Sequence, residues 1–82
     1  MADELEVSKR TVKQVLTECA QAGKKLQFQG PDNIRPDSRH SIREVAEDHV
    51  VFQLLGDEDF VVPYHAIVAL KVGTTSLTVR YR

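Results

Sequence analysis

The N-terminal part of the chain carries the spacing of an amphipathic helix. Between Ser8 and Ala22, apolar residues recur every three or four positions, which places them on one face of a helix. These residues are Val12, Val15, Leu16 and Cys19. Ser8 can cap the start, and Gly23 can follow the end because glycine adopts a left-handed conformation without steric penalty. The pattern predicts a helix over about residues 8–22, with an earlier start near Asp3 as an alternative.

The rest of the chain shows the shorter periods of β-strands. Segments with alternating or β-branched apolar residues fall at 25–29, 41–55, 60–62, 65–72 and 77–81. The polar run 47–49 divides the second segment into two strands or bends one strand sharply. Residues 56–59 and 73–76 are typical of hairpin turns. Pro63 marks a strand end or an edge, because proline has no N–H to donate.

This order of elements predicts a mainly β fold with one N-terminal helix. A chain of 82 residues has room for one core, so we expect a single domain. Short strands joined by tight turns favour a small, strongly bent sheet or a partly open barrel. We place the barrel at about residues 25–72 and an extra C-terminal strand at about 77–81.

Within the predicted strands, residues 60–62 and 66–70 are apolar on both faces and carry no charge. Left as uncovered edges they would invite association, and edge pairing repeated around an axis closes into a ring. The predicted oligomer interface comprises Phe60, Val61, Val62, Ala66, Ile67, Val68, Ala69 and Leu70. The partner expected at this interface is a second copy of the chain.

Composition removes several classes of function. Lys and Arg number 11 against 12 Asp and Glu, so the chain lacks the overall positive charge of a DNA-coating protein. The helix is nevertheless locally basic through Lys9, Arg10 and Lys13. No apolar run approaches the roughly 20 residues of a membrane span, and the N-terminus is acidic rather than signal-like. We therefore expect a soluble, cytoplasmic protein without a membrane partner.

The inventory of reactive side chains is small. Cys19 is the single cysteine, and the three histidines, His40, His49 and His65, lie far apart in the sequence. No paired nucleophile and base, phosphate loop or metal cluster can be recognised. We expect no catalytic activity, no cofactor and no bound metal.

Two segments of the chain resemble the motifs of the Sm-like superfamily, which comprises the Sm, LSm and bacterial Hfq proteins. Residues 42–54 are similar to the first motif, with Asp48 at the position of its loop aspartate. Residues 60–70 are similar to the second motif, and His65-Ala66-Ile67 matches the last three positions of the Tyr-Lys-His-Ala-Ile signature of Hfq. With the preceding helix and the hairpin at Gly56, the resemblance spans about residues 8–72.

The chain departs from the family pattern at several positions. The bent second strand lacks its usual glycine, and Val50 stands where family members carry the residue that stacks on uracil. Phe52 replaces the asparagine of the Sm motif, while Pro63 and Tyr64 replace the tyrosine and lysine of Hfq. These differences predict a weaker preference for uridine than in typical members.

The resemblance implies a five-stranded, SH3-like open barrel assembled into a ring of five to seven identical subunits that binds single-stranded RNA. At the pore, His65 and Tyr64 would contact bases, together with Asp48 and His49 from the loop of the first motif. The helix residues Lys9, Arg10 and Lys13 would contact phosphates.

Structural roles for the same residues stay open. His65 can cap backbone groups at the strand junction, Tyr64 can pack its ring on the barrel, and His49 can be an exposed turn residue. The basic helix face can be an ordinary solvated surface. The alternative function is accordingly a ring that has lost RNA binding and serves as a structural or protein-interaction oligomer.

Overall fold

A computed structural model describes residues 9–32, 34–35, 37 and 39–82 of the chain, with side chains from Thr11 onward. Over this part the fold is mainly β, with one N-terminal helix and six strands, as the sequence predicts. In chain order the elements are α1 Lys9–Ala22, β1 Lys25–Gln29, β2 Ser41–Val45, β3 His49–Leu54, β4 Glu58–Pro63, a 3₁₀ helix Tyr64–Ala66, β5 Ile67–Val72 and β6 Ser76–Tyr81.

The C-terminus of α1 follows the predicted capping. Gly23 has φ +66°. Its N–H donates to the carbonyl of Ala20, and the N–H of Lys24 donates to the carbonyl of Cys19, both at 3.3 Å. This pair of hydrogen bonds is a Schellman motif, which satisfies carbonyls that the last helical turn leaves open. The two start sites considered for the helix, Ser8 and Asp3, lie outside the described residues.

The strands form two three-stranded sheets. In the second sheet, β2, β3 and β4 form an antiparallel meander, so the polar run after Val45 separates two strands rather than bending one. In the first sheet the order is β1-β6-β5, with β1 parallel and β5 antiparallel to β6. A bulge interrupts the pairing of β2 with β3 between Ile42 and Glu44.

The placement of the C-terminal strand corrects the sequence prediction. We expected it as an addition outside a barrel of residues 25–72, but β6 is the central strand of the first sheet. Its alternate residues Leu77 and Val79 are fully buried. The chain reverses direction after β5, and β6 runs between β5 and β1 with its apolar face in the core. Without β6, β1 and β5 have no partner strand within their sheet.

One hydrophobic core joins both sheets to the inner face of α1. Its largest fully buried side chains include Phe52, Leu16 and Leu26. Burying each of these stabilises the fold by roughly 1.5–3 kcal/mol. Cys19 belongs to this apolar stripe, as predicted, and its burial raises the pKa of its thiol. Phe28 of β1 meets the ring of Phe52 edge-on at 4.9 Å between centroids, which links the first sheet to the second.

A hairpin precedes β4, and the turn that follows β4 positions the candidate site at the opposite end of the strand. Gly56 and Asp57 both have positive φ in the predicted hairpin before β4, and the side-chain amide of Gln53 donates to Asp57 Oδ1 at 2.7 Å. Pro63 ends β4, as predicted. The next strand begins at Ile67 rather than at His65, because residues 64–66 form the 3₁₀ helix.

In the described part of the chain, no helix is long and apolar enough to cross a membrane.

Candidate nucleic-acid interface

The turn between β2 and β3 is joined to the 3₁₀ helix by main-chain hydrogen bonds. The N–H of Ala46 donates to the carbonyl of His49 at 2.9 Å and closes the turn. The N–H of Tyr64 donates to the carbonyl of Asp48 at 3.0 Å, which brings the 3₁₀ helix against it. Asp48, His49 and His65 therefore lie at the same end of the subunit, although 16 residues separate the two histidines in the sequence.

Tyr64 does not have the role in base stacking that the sequence predicted. It is 4% exposed, and its hydroxyl donates to the carbonyl of Ala46 at 2.5 Å. Burial raises the pKa of this phenol, and the nearby carboxylates of Glu47 and Asp48 raise it further. The ring packs in the core while its hydroxyl holds the turn, which is the structural alternative considered for this residue. Tyr64 is therefore not a candidate residue for contact with RNA bases.

His65 is the exposed residue of the 3₁₀ helix. The turn is closed by its own backbone, since the N–H of Ile67 donates to the carbonyl of Tyr64. Within the described residues, the His65 ring makes no hydrogen bond to the backbone, so the capping role considered for it is not observed. Its imidazole stands on a fixed turn and faces solvent, where it can stack on a base or form a hydrogen bond with one.

His49 is oriented by its neighbour Asp48. Nδ1 of the imidazole lies 2.8 Å from Oδ1 of the carboxylate, and both side chains are partly exposed. The contact fixes the ring so that its Nε2 edge points away from the carboxylate. His49 thus keeps Nε2 available for hydrogen bonding at the end of the molecule that also carries His65.

The charges around this end differ from the predicted basic helix face. Lys13 forms an ion pair with Glu47 of the β2–β3 turn, so its charge is partly offset. The side chains of Lys9 and Arg10 lie outside the described residues. Sequence reasoning missed Glu47 because 34 residues separate it from Lys13 and no local pattern links them. The site therefore combines two imidazoles with two carboxylates and one paired cation.

His40 has a structural position away from this site. It is 7% exposed; its Nε2 lies 2.9 Å from the carbonyl of Arg35, and its Nδ1 accepts from the N–H of Leu55 at 3.1 Å. These bonds fasten the loop before β2 onto the β3–β4 hairpin, beside a cavity of about 540 Å³. Among the described residues, no group of three or more His, Cys, Asp or Glu is arranged to hold a metal ion.

The predicted oligomer strands β4 and β5 are each at the edge of a sheet. Within the described residues, β4 pairs only with β3 and β5 only with β6. Val61 of β4 is 54% exposed and Val68 of β5 is 45% exposed. The side chains of Val62 and Ile67, by contrast, are buried in the core of the protein. The other predicted interface residues, Phe60, Ala66, Ala69 and Leu70, are partly buried.

Comparisons with protein-family models, with curated proteins and with solved structures find no match to this chain. The resemblance to the Sm-like superfamily therefore stays a prediction from the residues of its two motifs.

Proposed function

We propose that the protein is a non-catalytic, Sm-like module that assembles into a closed ring of five to seven identical copies and binds single-stranded RNA. The observation that carries the proposal is the pair of sheet edges on β4 and β5, which are apolar over residues 60–62 and 67–70. Among the residues that the structure describes, no strand pairs with the outer side of either edge, and each edge carries an exposed valine.

Pairing β4 of one copy with β5 of the next would satisfy both rows of backbone groups. Both strands are six residues long, so their lengths match. Val61 and Val68 would then lose contact with water, which favours association. Because the two edges belong to different sheets of one subunit, the contact is head-to-tail, and such contacts close into rings when the rotation between copies allows it.

The proposed contact with bases uses the exposed imidazole of His65 and the oriented ring of His49. A ring repeats these groups once per subunit, so a weak contact is multiplied by avidity. Tyr64 has a supporting part, because its hydrogen bond to Ala46 holds the turn that carries His49.

The second candidate is a ring that binds no RNA and serves as a structural or protein-interaction oligomer. The carboxylates of Glu47 and Asp48 favour it, because both are exposed at the end where RNA would approach and would repel its phosphates. The burial of Tyr64 favours it too, because one predicted stacking platform is lost.

A binding panel of short RNA and DNA homopolymers separates the two functions. The purified oligomer is titrated at 50 and 200 mM salt, with His65→Ala compared with Gln21→Ala, a change at an exposed position on α1. We expect RNA binding that weakens with salt. His65→Ala should cost about 1–3 kcal/mol, the usual range for a lost base stack, while Gln21→Ala binds like wild type. If the wild-type protein binds no RNA at 50 mM salt, the second function replaces the first.

A further inference from the structure

The two sheets of the subunit differ sharply in charge. The strands of the first sheet, β1, β5 and β6, contain Lys25, Lys71 and Arg80 and no acidic residue. The strands of the second sheet contain one arginine, Arg43, with the acidic residues Glu44, Glu58 and Asp59. The chain as a whole has a net charge of −1, so the positive charge of the first sheet is a local feature rather than a reflection of composition.

All three cations lie on the outer face of the first sheet. In β1 the apolar residues Leu26 and Phe28 are buried and the residues between and beside them are exposed. The same alternation holds in β6, where Arg80 is exposed between two buried residues. The register places Lys71 opposite Thr78, whose hydroxyl lies 3.4 Å from Oε1 of Gln27 on the outer side. We call this surface the basic sheet face; it comprises Lys25, Gln27, Gln29, Lys71, Thr78 and Arg80.

The register also fixes the spacing of the charges. Lys25 is level with Ser76, Lys71 with Thr78, and Arg80 lies two residues further along β6. With roughly 3.3 Å per residue along a strand and about 4.8 Å between strands, the three Cα atoms form a triangle with sides of roughly 8–14 Å. These separations are close to the Debye length of about 10 Å at 0.1 M salt, so the fields of the three cations reinforce one another.

Nothing in the described part of the chain neutralises this charge. None of the three cations forms an ion pair there, whereas Arg43 on the second sheet lies 3.6 Å from Asp59. Lys25, Lys71 and Arg80 are all exposed. The face therefore presents three available cations to a ligand.

We infer that the basic sheet face binds the phosphate backbone of single-stranded RNA. The inference rests on the proposed RNA-binding function and gives it a second surface in addition to the His65 end. The three cations match phosphates, while Gln27 and Gln29 offer both donors and acceptors for ribose hydroxyls and base edges. A lipid surface suits the face less well, because membrane-binding surfaces insert apolar side chains where this one carries amides and a hydroxyl.

The test compares the triple variant Lys25→Gln/Lys71→Gln/Arg80→Gln with wild type in RNA titrations over a range of salt concentrations. Each phosphate contact contributes about 0.7 to the slope of log affinity against log salt for single strands. The triple variant should flatten the slope by about two for each subunit that the RNA contacts, and weaken binding at 50 mM salt roughly fivefold to tenfold per lost contact. Because all three side chains are exposed, the thermal unfolding midpoint should stay within a few degrees of wild type.

A matched pair of single variants controls for net charge. Arg80→Gln removes one exposed arginine from the first sheet, and Arg43→Gln removes one from the second. We expect a flatter slope only for Arg80→Gln. Should the triple variant fold poorly, Arg80→Gln and Lys71→Gln measured singly answer the same question.

The outcomes separate this inference from the proposed function. If wild type binds RNA and the triple variant binds with an unchanged slope, the basic sheet face is not the phosphate site, while RNA binding itself stands. If polyglutamate displaces bound RNA as well as a competitor RNA of equal charge does, the face recognises acidic proteins instead. The inference is then overturned. If wild type binds no RNA, both proposals fail together.

Discussion

Replacing Tyr64 with phenylalanine tests whether the hydroxyl of this residue stabilises the fold, rather than the residue serving as a stacking platform for bases. The change removes only the hydroxyl, which donates to the carbonyl of Ala46 at 2.5 Å, and keeps the buried ring. A typical hydrogen bond contributes about 0.5–1.5 kcal/mol net. Ala46 is half-buried, so water can partly replace the lost donor. We therefore expect Tyr64→Phe to lower the free energy of unfolding by about 1 kcal/mol.

Thermal and urea unfolding measure this loss. For a domain of this size, 1 kcal/mol corresponds to a decrease of roughly 4–8 °C in Tm. Tyr64→Ala also removes a buried ring and should cost about 3–5 kcal/mol. RNA affinity should fall only slightly in Tyr64→Phe, because the loosened turn also carries His49. A wild-type Tm in Tyr64→Phe would refute the assignment of the Tyr64 hydroxyl to the fold, because phenylalanine keeps the ring that could stack on a base and loses only the hydrogen bond.

The stability of Tyr64→Phe should also depend on alkaline pH differently from the stability of wild type. Burial, followed by the charges of Glu47 and Asp48, raises the pKa of the Tyr64 phenol in the folded state. The unfolded state then loses its phenolic proton first, so stability is fully present below about pH 10 and declines as pH rises through the higher folded pKa. Stability should therefore decline less steeply above pH 10 in Tyr64→Phe. Equal declines would show that this phenol is not linked to folding.

Two further predictions concern contacts that stabilise the fold away from the site. Gly30→Ala would place a Cβ within 2.4–2.6 Å of the Tyr81 ring, so overpacking should cost about 1–3 kcal/mol in urea unfolding. The double variant with Tyr81→Ala should show less than the sum of the two losses, and strict additivity would mean that the clash is absent. His40→Ala removes two hydrogen bonds that hold the loop before β2 and should cost about 1–3 kcal/mol. The control His49→Ala, at a partly exposed position, should change the free energy of unfolding by less than about 0.5 kcal/mol, and equal losses for the two histidines would contradict the role of His40.

Local sequence signals predicted the elements of this fold more fully than their arrangement. The helix spacing, Gly23 and the turn at Gly56 each encode conformation through nearby residues, and the structure has all three where expected. The place of β6 depends on pairing with β1, about 50 residues earlier in the chain, and no local pattern specifies which strand becomes the centre of a sheet. For this reason the C-terminal strand was expected outside the barrel.

The same limit applies to the candidate site. The two motifs indicated Asp48, His49 and His65, and backbone hydrogen bonds bring their segments to one end of the subunit. The burial of Tyr64 and the ion pair between Lys13 and Glu47 depend on contacts between distant segments, so neither could be derived from spacing. The basic sheet face has no local sequence signal for the same reason, because its cations come from three strands.

The mass of the native protein in solution tests the central claim most directly. Light scattering at micromolar concentration should give a single species of five to seven times the 9.3 kDa subunit mass. Val61→Lys, which adds a charge at the exposed edge of β4 without entering the core, should shift the protein toward smaller species. A wild-type mass of 9.3 kDa would contradict the ring, because the open edges of β4 and β5 would then remain unpaired between copies.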